Sequence, residues 1–281
     1  MARDIDALTS STLKHLRGRW WNADFTKFLR DTLEPRAGHR ILDVGCGAGT
    51  AEVSLGQREI SQLRLYAVDL ILPRVLEAVQ TTHAHNTRVG FAAADACRLP
   101  FGNDVFDSTF CVAVLQHVRE VSTAVQECAR VTRPGGRVLV IEPDNEARYW
   151  YSSCDAGARA FDLAAGFFKA LECRDDVVDR APGPKIPAVF TRHGIEPIAI
   201  RLFPVSMVRL GAPAPAVWEA RGQTVRGAIE RVQDEPLRRL GADYLRVLDT
   251  YAEEAAAAGR RFVEIQSTML FATVGQKTAD F

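Results

Sequence analysis

The chain has 281 residues, with 35 Lys and Arg against 35 Asp and Glu, so its formal net charge is zero. Hydrophobic residues make up 47% and charged residues 25%, the profile of a globular chain long enough to build its own core. The charges balance along the whole length, which argues against a phosphate-backbone partner, and no run has the roughly 18 apolar residues of a membrane span.

The six cysteines, Cys46, Cys97, Cys111, Cys128, Cys154 and Cys173, form no C-x-x-C pair and have no histidine cluster beside them. Neither a metal site nor a secreted disulfide framework is expected. The opening MARDIDALTS is too charged for a signal peptide, so a reducing cytoplasm is the expected compartment.

Residues 3–34 carry a helical rhythm with a break near Trp21-Asn22, and 1–37 reads as an N-terminal helical lid. Strand and helix then alternate. Arg40–Val44 is a buried strand and Ala51–Ile60 a helix. Leu63–Asp69 is a strand, followed by an amphipathic helix on Leu72, Val75, Leu76 and Val79. Val89–Ala94 and Phe106–Val114 are strands. The helix marked by Val121, Val125, Cys128 and Val131 stops at Pro134-Gly135-Gly136, before a strand over Arg137–Glu142. This alternation implies βαβ units and a mostly parallel, Rossmann-like sheet with helices on both faces.

Beyond Pro143 come a helix over 155–172 with Phe161, Ala165, Phe168 and Leu171 on one face, and a short helix ending at His193-Gly194. A sixth strand follows at Ile195–Val205. Helices at Pro213–Gln233 and Leu237–Ala258 form an insertion over 206–259, and a seventh strand at Arg261–Val274 closes the sheet. The expected organisation is a cofactor core over 38–145 and a remainder, 146–281, that completes the same sheet and adds substrate-lid helices.

The strongest chemical signal is Ile41-Leu42-Asp43-Val44-Gly45-Cys46-Gly47-Ala48-Gly49-Thr50, a strand entering a turn of three alternating glycines. Glycine is needed where a ligand approaches the backbone or φ turns positive. A dinucleotide fingerprint counted from Gly45 would need glycine at Thr50, and fails there. Asp43 is unsuited to a pyrophosphate and suited to a cationic ligand. Asp69 ends the second strand, where a carboxylate meets ribose hydroxyls, and Leu70 and Ile71 would face a purine. Asp95, beside Ala96, ends the third. Asp43, Asp69 and Asp95 fall 26 residues apart each time, so successive units bring them to one edge of the sheet.

These residues, with Leu99-Pro100-Phe101, Phe106-Asp107, Val114-Leu115-Gln116-His117-Val118 and Arg133-Pro134-Gly135-Gly136, resemble the class I S-adenosylmethionine-dependent methyltransferases, in the broad group that includes ubiquinone and menaquinone methyltransferases. The resemblance covers about 38–145. It implies S-adenosylmethionine as cofactor, held by Asp43, Gly45, Cys46, Gly47, Gly49, Asp69, Leu70, Asp95, Ala96, Cys111 and Gln116. Quinone-modifying members usually carry Arg-Asn where this chain has Gln116-His117, so a quinone is not supported by motif.

His117 is the candidate base, against a reading in which it only orients the following helix. Glu142 and Tyr149 are candidate substrate contacts; the plainer reading of Glu142 is that it accepts backbone hydrogen bonds. The aromatics Trp20, Trp21, Phe25, Phe28, Trp150, Phe161, Phe167 and Phe168 would wall an apolar pocket or pack a core. The expected acceptor is a small organic molecule, with no nucleic acid or membrane partner. RNA or protein methylation is the second reading, and a non-catalytic cofactor-binding subunit the third. A second copy of the chain is the candidate protein partner.

Overall fold

The structure is a computed structural model and describes residues 20–56, 62–172, 179 and 181–279. Several expectations lie outside these residues: the helical rhythm over 3–19, the end of the Ala51–Ile60 helix, and Cys173.

The elements in chain order are α1 (Ala23–Leu33), β1 (Arg40–Val44), α2 (Thr50–Gly56), β2 (Arg64–Asp69), α3 (Leu72–Ala84), β3 (Val89–Ala93) and β4 (Phe106–Val112). A 3-10 turn at Leu115–His117 leads to α4 (Val121–Val131), β5 (Thr132–Ser152) and α5 (Asp155–Glu172). Then come α6 (Ile186–Arg192), β6 (Ile195–Leu210), α7 (Pro215–Arg231), α8 (Glu235–Ala258) and β7 (Val263–Lys277). The seven strands lie in the order β3-β2-β1-β4-β5-β7-β6.

The pairings from β3 through β2, β1 and β4 to β5 are all parallel. β7 runs against β6. The Gly211 N–H donates to the Phe262 carbonyl at 2.8 Å and the Thr278 N–H to the Gly194 carbonyl at 2.9 Å, so the end of one strand meets the start of the other. The expected mostly parallel seven-stranded sheet is therefore present, closed by an antiparallel pair.

The described residues divide into two compact units. The first draws on Met1–Glu146, Val178–Val205 and Met269–Phe281, the second on Ala147–Val177 and Ser206–Thr268. The expected single remainder over 146–281 is thus shared between them. β5 and β6 are also longer than the strands read from sequence. A search for buried apolar runs stops at Glu142 and Val205. The residues beyond alternate or are exposed, as at Tyr149, Tyr151, Val208 and Leu210, and carry no core signal.

In the first unit, alternation along each strand feeds two cores. Val138 and Val140 face α4 and α6 through Val125, Cys128, Ile186 and Phe190. Leu139 and Ile141 face α1 and α2 through Phe25, Leu29, Leu33, Ala51 and Leu55. All four strand residues are fully buried, and each such side chain contributes roughly 1.5–3 kcal/mol. Helices on both faces follow from this period-2 pattern. α1 begins at the expected break, where the Asn22 side chain caps it by accepting from the Phe25 N–H at 3.0 Å.

The second unit packs α5, α7 and α8 around Phe167, Val225, Leu237, Leu248, Tyr251 and Phe262. α8 buries Leu237, Gly241, Tyr244, Leu248, Tyr251 and Ala255, and a Cβ at Gly241 would stand 2.7 Å from Ile229 and Phe167. The core face of α5 is rotated from the expected one, with Ala160 and Phe167 buried and Ala165 exposed. Phe161 stacks on Trp150 instead, with ring centroids 4.7 Å apart.

A fully buried carboxylate, Glu264, anchors this unit. Arg221 grips it at 2.6 and 3.0 Å, the Tyr251 hydroxyl donates to it at 2.9 Å, and Arg209 Nε lies 3.3 Å away. Burial pushes the carboxyl up, but these donors outweigh it and hold the group below the usual range. The stability it contributes is present above the ordinary carboxylate pKa and is lost as pH falls through the lowered value. Tyr251→Phe removes one hydrogen bond to a buried charge. It should lower stability by about 2 kcal/mol in urea denaturation, with the ligand-binding properties of the first unit unchanged.

Candidate functional site

A cavity of about 200 Å³ opens in the first unit at the carboxyl ends of β1, β2, β3 and β4. Parallel strands deliver their terminal residues to one edge, which is where open α/β sheets bind ligands.

The rim is the glycine turn after β1. Gly45, Gly47 and Gly49 have φ of 88°, 54° and 83°, all in the region that L side chains avoid. Two of them also lack room. A Cβ on Gly45 would stand 2.4 Å from Val114, and one on Gly49 would stand 3.1 Å from the backbone of Ala78 on α3. The turn is pinned from β2. The Gly45 and Cys46 N–H groups donate to the Val68 carbonyl at 2.7 and 2.9 Å.

Asp69 joins this turn to the next one. One carboxylate oxygen accepts from the Gly47 N–H and the other from the Ile71 N–H, each at 2.9 Å. Each oxygen keeps a second lone pair, so the group can still take hydroxyl donors. Leu70 and Ile71 follow as an apolar strip, and Leu70 is 61% exposed, which is unusual for a leucine beside a cavity. Asp95 lines the wall and accepts from the Cys97 N–H at 2.8 Å.

The opposite wall is the segment after β4. Ala113 sits at φ 56°, strained for a residue with a Cβ. Its N–H donates to the Ile141 carbonyl at 2.8 Å. Val114, Gln116, His117 and Val118 line the cavity, and His117 is exposed. The Gln116 side chain is held by Asn145, whose Nδ2 donates to its Oε1 at 3.0 Å.

Of the expected cofactor residues, Gly45, Asp69, Leu70, Asp95, Ala96 and Gln116 line the cavity, as does the expected base His117. Gly47 and Gly49 shape the turn without lining it. Asp43 and Cys46 are buried at the end of β1 and in the turn, and Cys111 is buried within β4. Burial, and then the charge of Glu142, push the Cys111 thiol well above its usual value, so it is a packing residue and no nucleophile.

Glu142 is a correction. It is fully buried and cannot be a substrate contact: its carboxylate accepts from the Val114, Leu115 and Gln116 N–H groups at 2.7, 2.7 and 3.2 Å. Burial pushes its pKa up to about 7, against the downward pull of those three amides. Tyr149 is not among the cavity residues; it lies in the second unit and is 60% exposed.

Trp20, Arg74, Ala113 and Val118 also line the cavity, though none was expected as a site residue. Trp20 belongs to a noted aromatic group, and its buried indole N–H meets no acceptor among the described residues. Val118 ends a noted motif. Arg74 and Ala113 carry no distinguishing signal in sequence. Among the described residues no group of three or more His, Cys, Asp or Glu could hold a metal ion, and no helix is long and apolar enough to cross a membrane.

A demethylmenaquinone methyltransferase of Mycobacterium marinum is 34% identical over 142 residues, 50% of this chain and 55% of that protein. Methyltransferase GfsG of Streptomyces halstedii is 32% identical over 117 residues, 42% of each. The chain therefore spans about half the length of the curated relatives it matches. The crystal structure of the YcgJ protein of Bacillus subtilis shares the fold, with a TM-score of 0.57 and 19% identity over 92% of this chain and 100% of that one. The methyltransferase domain family matches residues 42–140, from β1 to the middle of β5, and through this segment the chain is similar to that family.

Proposed function

We propose that the protein transfers a methyl group from S-adenosylmethionine to a small organic acceptor. The observation that carries this reading is the single cavity edge where Asp69, Leu70, Asp95 and the glycine turn meet. The donor set fits an S-adenosyl group. Glycine at position 45 lets the turn lie directly against Val114, where a Cβ would stand 2.4 Å away, and Asp69 retains acceptor capacity after serving two amides.

In this reading Asp69 binds the ribose hydroxyls and Asp95 accepts from the adenine amino group. Leu70 and Ile71 exclude water from the ring. The two carboxylates, with Arg74 as the cation beside them, favour a positively charged ligand over a polyphosphate. When bound, S-adenosylmethionine supplies an activated methyl group for in-line displacement. The chain then has to orient the acceptor and, for a hydroxyl or carbon acid, remove its proton. His117, exposed at the end of the 3-10 turn, is placed to take that proton. Trp20, whose indole N–H meets no acceptor among the described residues, offers an apolar wall and one donor to an organic acceptor.

The expected result of His117→Ala is a fall in turnover of about 100-fold with little change in cofactor affinity. Near wild-type turnover at saturating acceptor would remove the base role. The overall reading is tested by incubating the protein with methyl-labelled S-adenosylmethionine and a metabolite extract. Label in a small molecule supports it. Label in RNA or protein, or no transfer beside tight binding to another protein, supports the other readings. Sedimentation velocity decides whether a second copy is a partner.

A further inference from the structure

The segment Ala113–Gln116 forms one wall of the cavity, and its backbone supplies little of its own support: the His117 and Val118 N–H groups donate to the Val114 and Leu115 carbonyls at 2.9 and 3.0 Å, while the N–H groups of Val114, Leu115 and Gln116 look elsewhere. It begins with a strained residue, Ala113 at φ 56°, and contains a single 3-10 turn. Successive N–H groups at the start of such a turn have no partner within it. The Val114, Leu115 and Gln116 amides all point at one group instead, the Glu142 carboxylate, at 2.7, 2.7 and 3.2 Å. Glu142 is fully buried and touches no cavity space. Its reach into the cavity passes through what it holds. Val114 presses against Gly45, and Gln116 lines the wall.

We infer that Glu142 is a positioning residue whose ionised carboxylate sets the wall of the S-adenosyl site, so that ligand affinity follows its protonation. This rests on the cofactor assignment above. An ionised carboxylate is acceptor-only and suits three N–H donors. Once protonated it carries a donor of its own, which faces those N–H groups and loosens the turn. Titratable groups stand on the elements beside it. β4 contributes Cys111, kept neutral by burial, and β1 contributes Asp43. His117 ends the turn, and Asp144 lies two residues along β5. Gly183 closes the backbone side, where a Cβ would stand 2.5 Å from the Glu142 carbonyl. Burial brings the proton exchange to about pH 7, within the working range of most assays.

The test uses the full chain and S-adenosylhomocysteine as probe, with affinity measured by titration calorimetry and the amides of Val114, Leu115 and Gln116 followed by NMR from pH 5.5 to 8.5. The three amide signals should titrate with one midpoint near 7, and saturating probe should move that midpoint downward, because binding and proton loss are linked. Wild-type affinity should fall about tenfold between pH 8 and pH 6. Glu142→Gln puts an amide N–H against the turn. Its affinity should be at least tenfold weaker at pH 8 and flat with pH, a signature that a general packing defect would not produce. Amides that do not titrate in the wild-type protein, or a Glu142→Gln variant with wild-type affinity and pH profile, would overturn the inference. If Glu142→Gln fails to fold, the wild-type titration decides alone. Titrating amides without probe binding at any pH would uphold the anchor and remove the cofactor assignment.

Discussion

Replacing Asp69 with alanine should lower affinity for S-adenosylhomocysteine about a hundredfold or more. Each hydrogen bond from a hydroxyl to this carboxylate contributes roughly 1.5–3 kcal/mol, and two are lost together. The Gly47 and Ile71 N–H groups, each 2.9 Å from an Asp69 oxygen, lose their acceptor at the same time. The glycine turn and the apolar strip are then no longer tied to each other. Asp69→Asn keeps the size and one acceptor oxygen, and should fall between the two, about tenfold weaker than wild type. Calorimetry at fixed pH, with circular dichroism to confirm folding, checks both. Wild-type affinity in Asp69→Ala would mean that the cavity does not bind a ribose.

Gly45→Ala should be the most damaging single methyl group in the first unit. The added Cβ meets Val114 at 2.4 Å, and φ of 88° is unfavourable for any residue that has one. Strain of this kind costs about 1–3 kcal/mol and overpacking about 1–3 kcal/mol, so a loss of about 4 kcal/mol is expected in urea denaturation. The clash and the strain separate experimentally. Val114→Ala in the Gly45→Ala background relieves only the clash and should regain about 2 kcal/mol. A loss below about 0.5 kcal/mol in the single variant would contradict the close approach of the turn to the segment after β4.

These two positions were legible in sequence because their residue types are dictated by local chemistry. A strand running into alternating glycines needs positive φ, and a carboxylate at the next strand end has one obvious class of partner. The alternation of apolar runs likewise carried the five parallel strands and the helices on both faces. Other features depend on where distant chain segments meet. That Glu142 accepts backbone hydrogen bonds was one of its two readings in sequence, but its distance along the chain from Val114 to Gln116 does not name those three amides, and its place at the end of an apolar run suggested an open edge. It is buried because β5 is a central strand, with β4 on one side and β7 on the other. Cys111 entered the expected set through the family resemblance alone, and it is packed inside β4. Arg74 reaches the cavity only through the way α3 lies, and Ala113 owes its strained backbone to its pairing with Ile141. The long ends of β5 and β6 were missed because an exposed strand shows no core pattern.

The central claim is that the β1–β4 edge is an S-adenosyl site. Titration calorimetry of the wild-type protein with S-adenosylmethionine and with S-adenosylhomocysteine tests it most directly. The account predicts saturable one-to-one binding of both, weakened about a hundredfold by Asp69→Ala. Absence of binding by either compound to the folded wild-type protein, or binding that Asp69→Ala leaves unchanged, would contradict it.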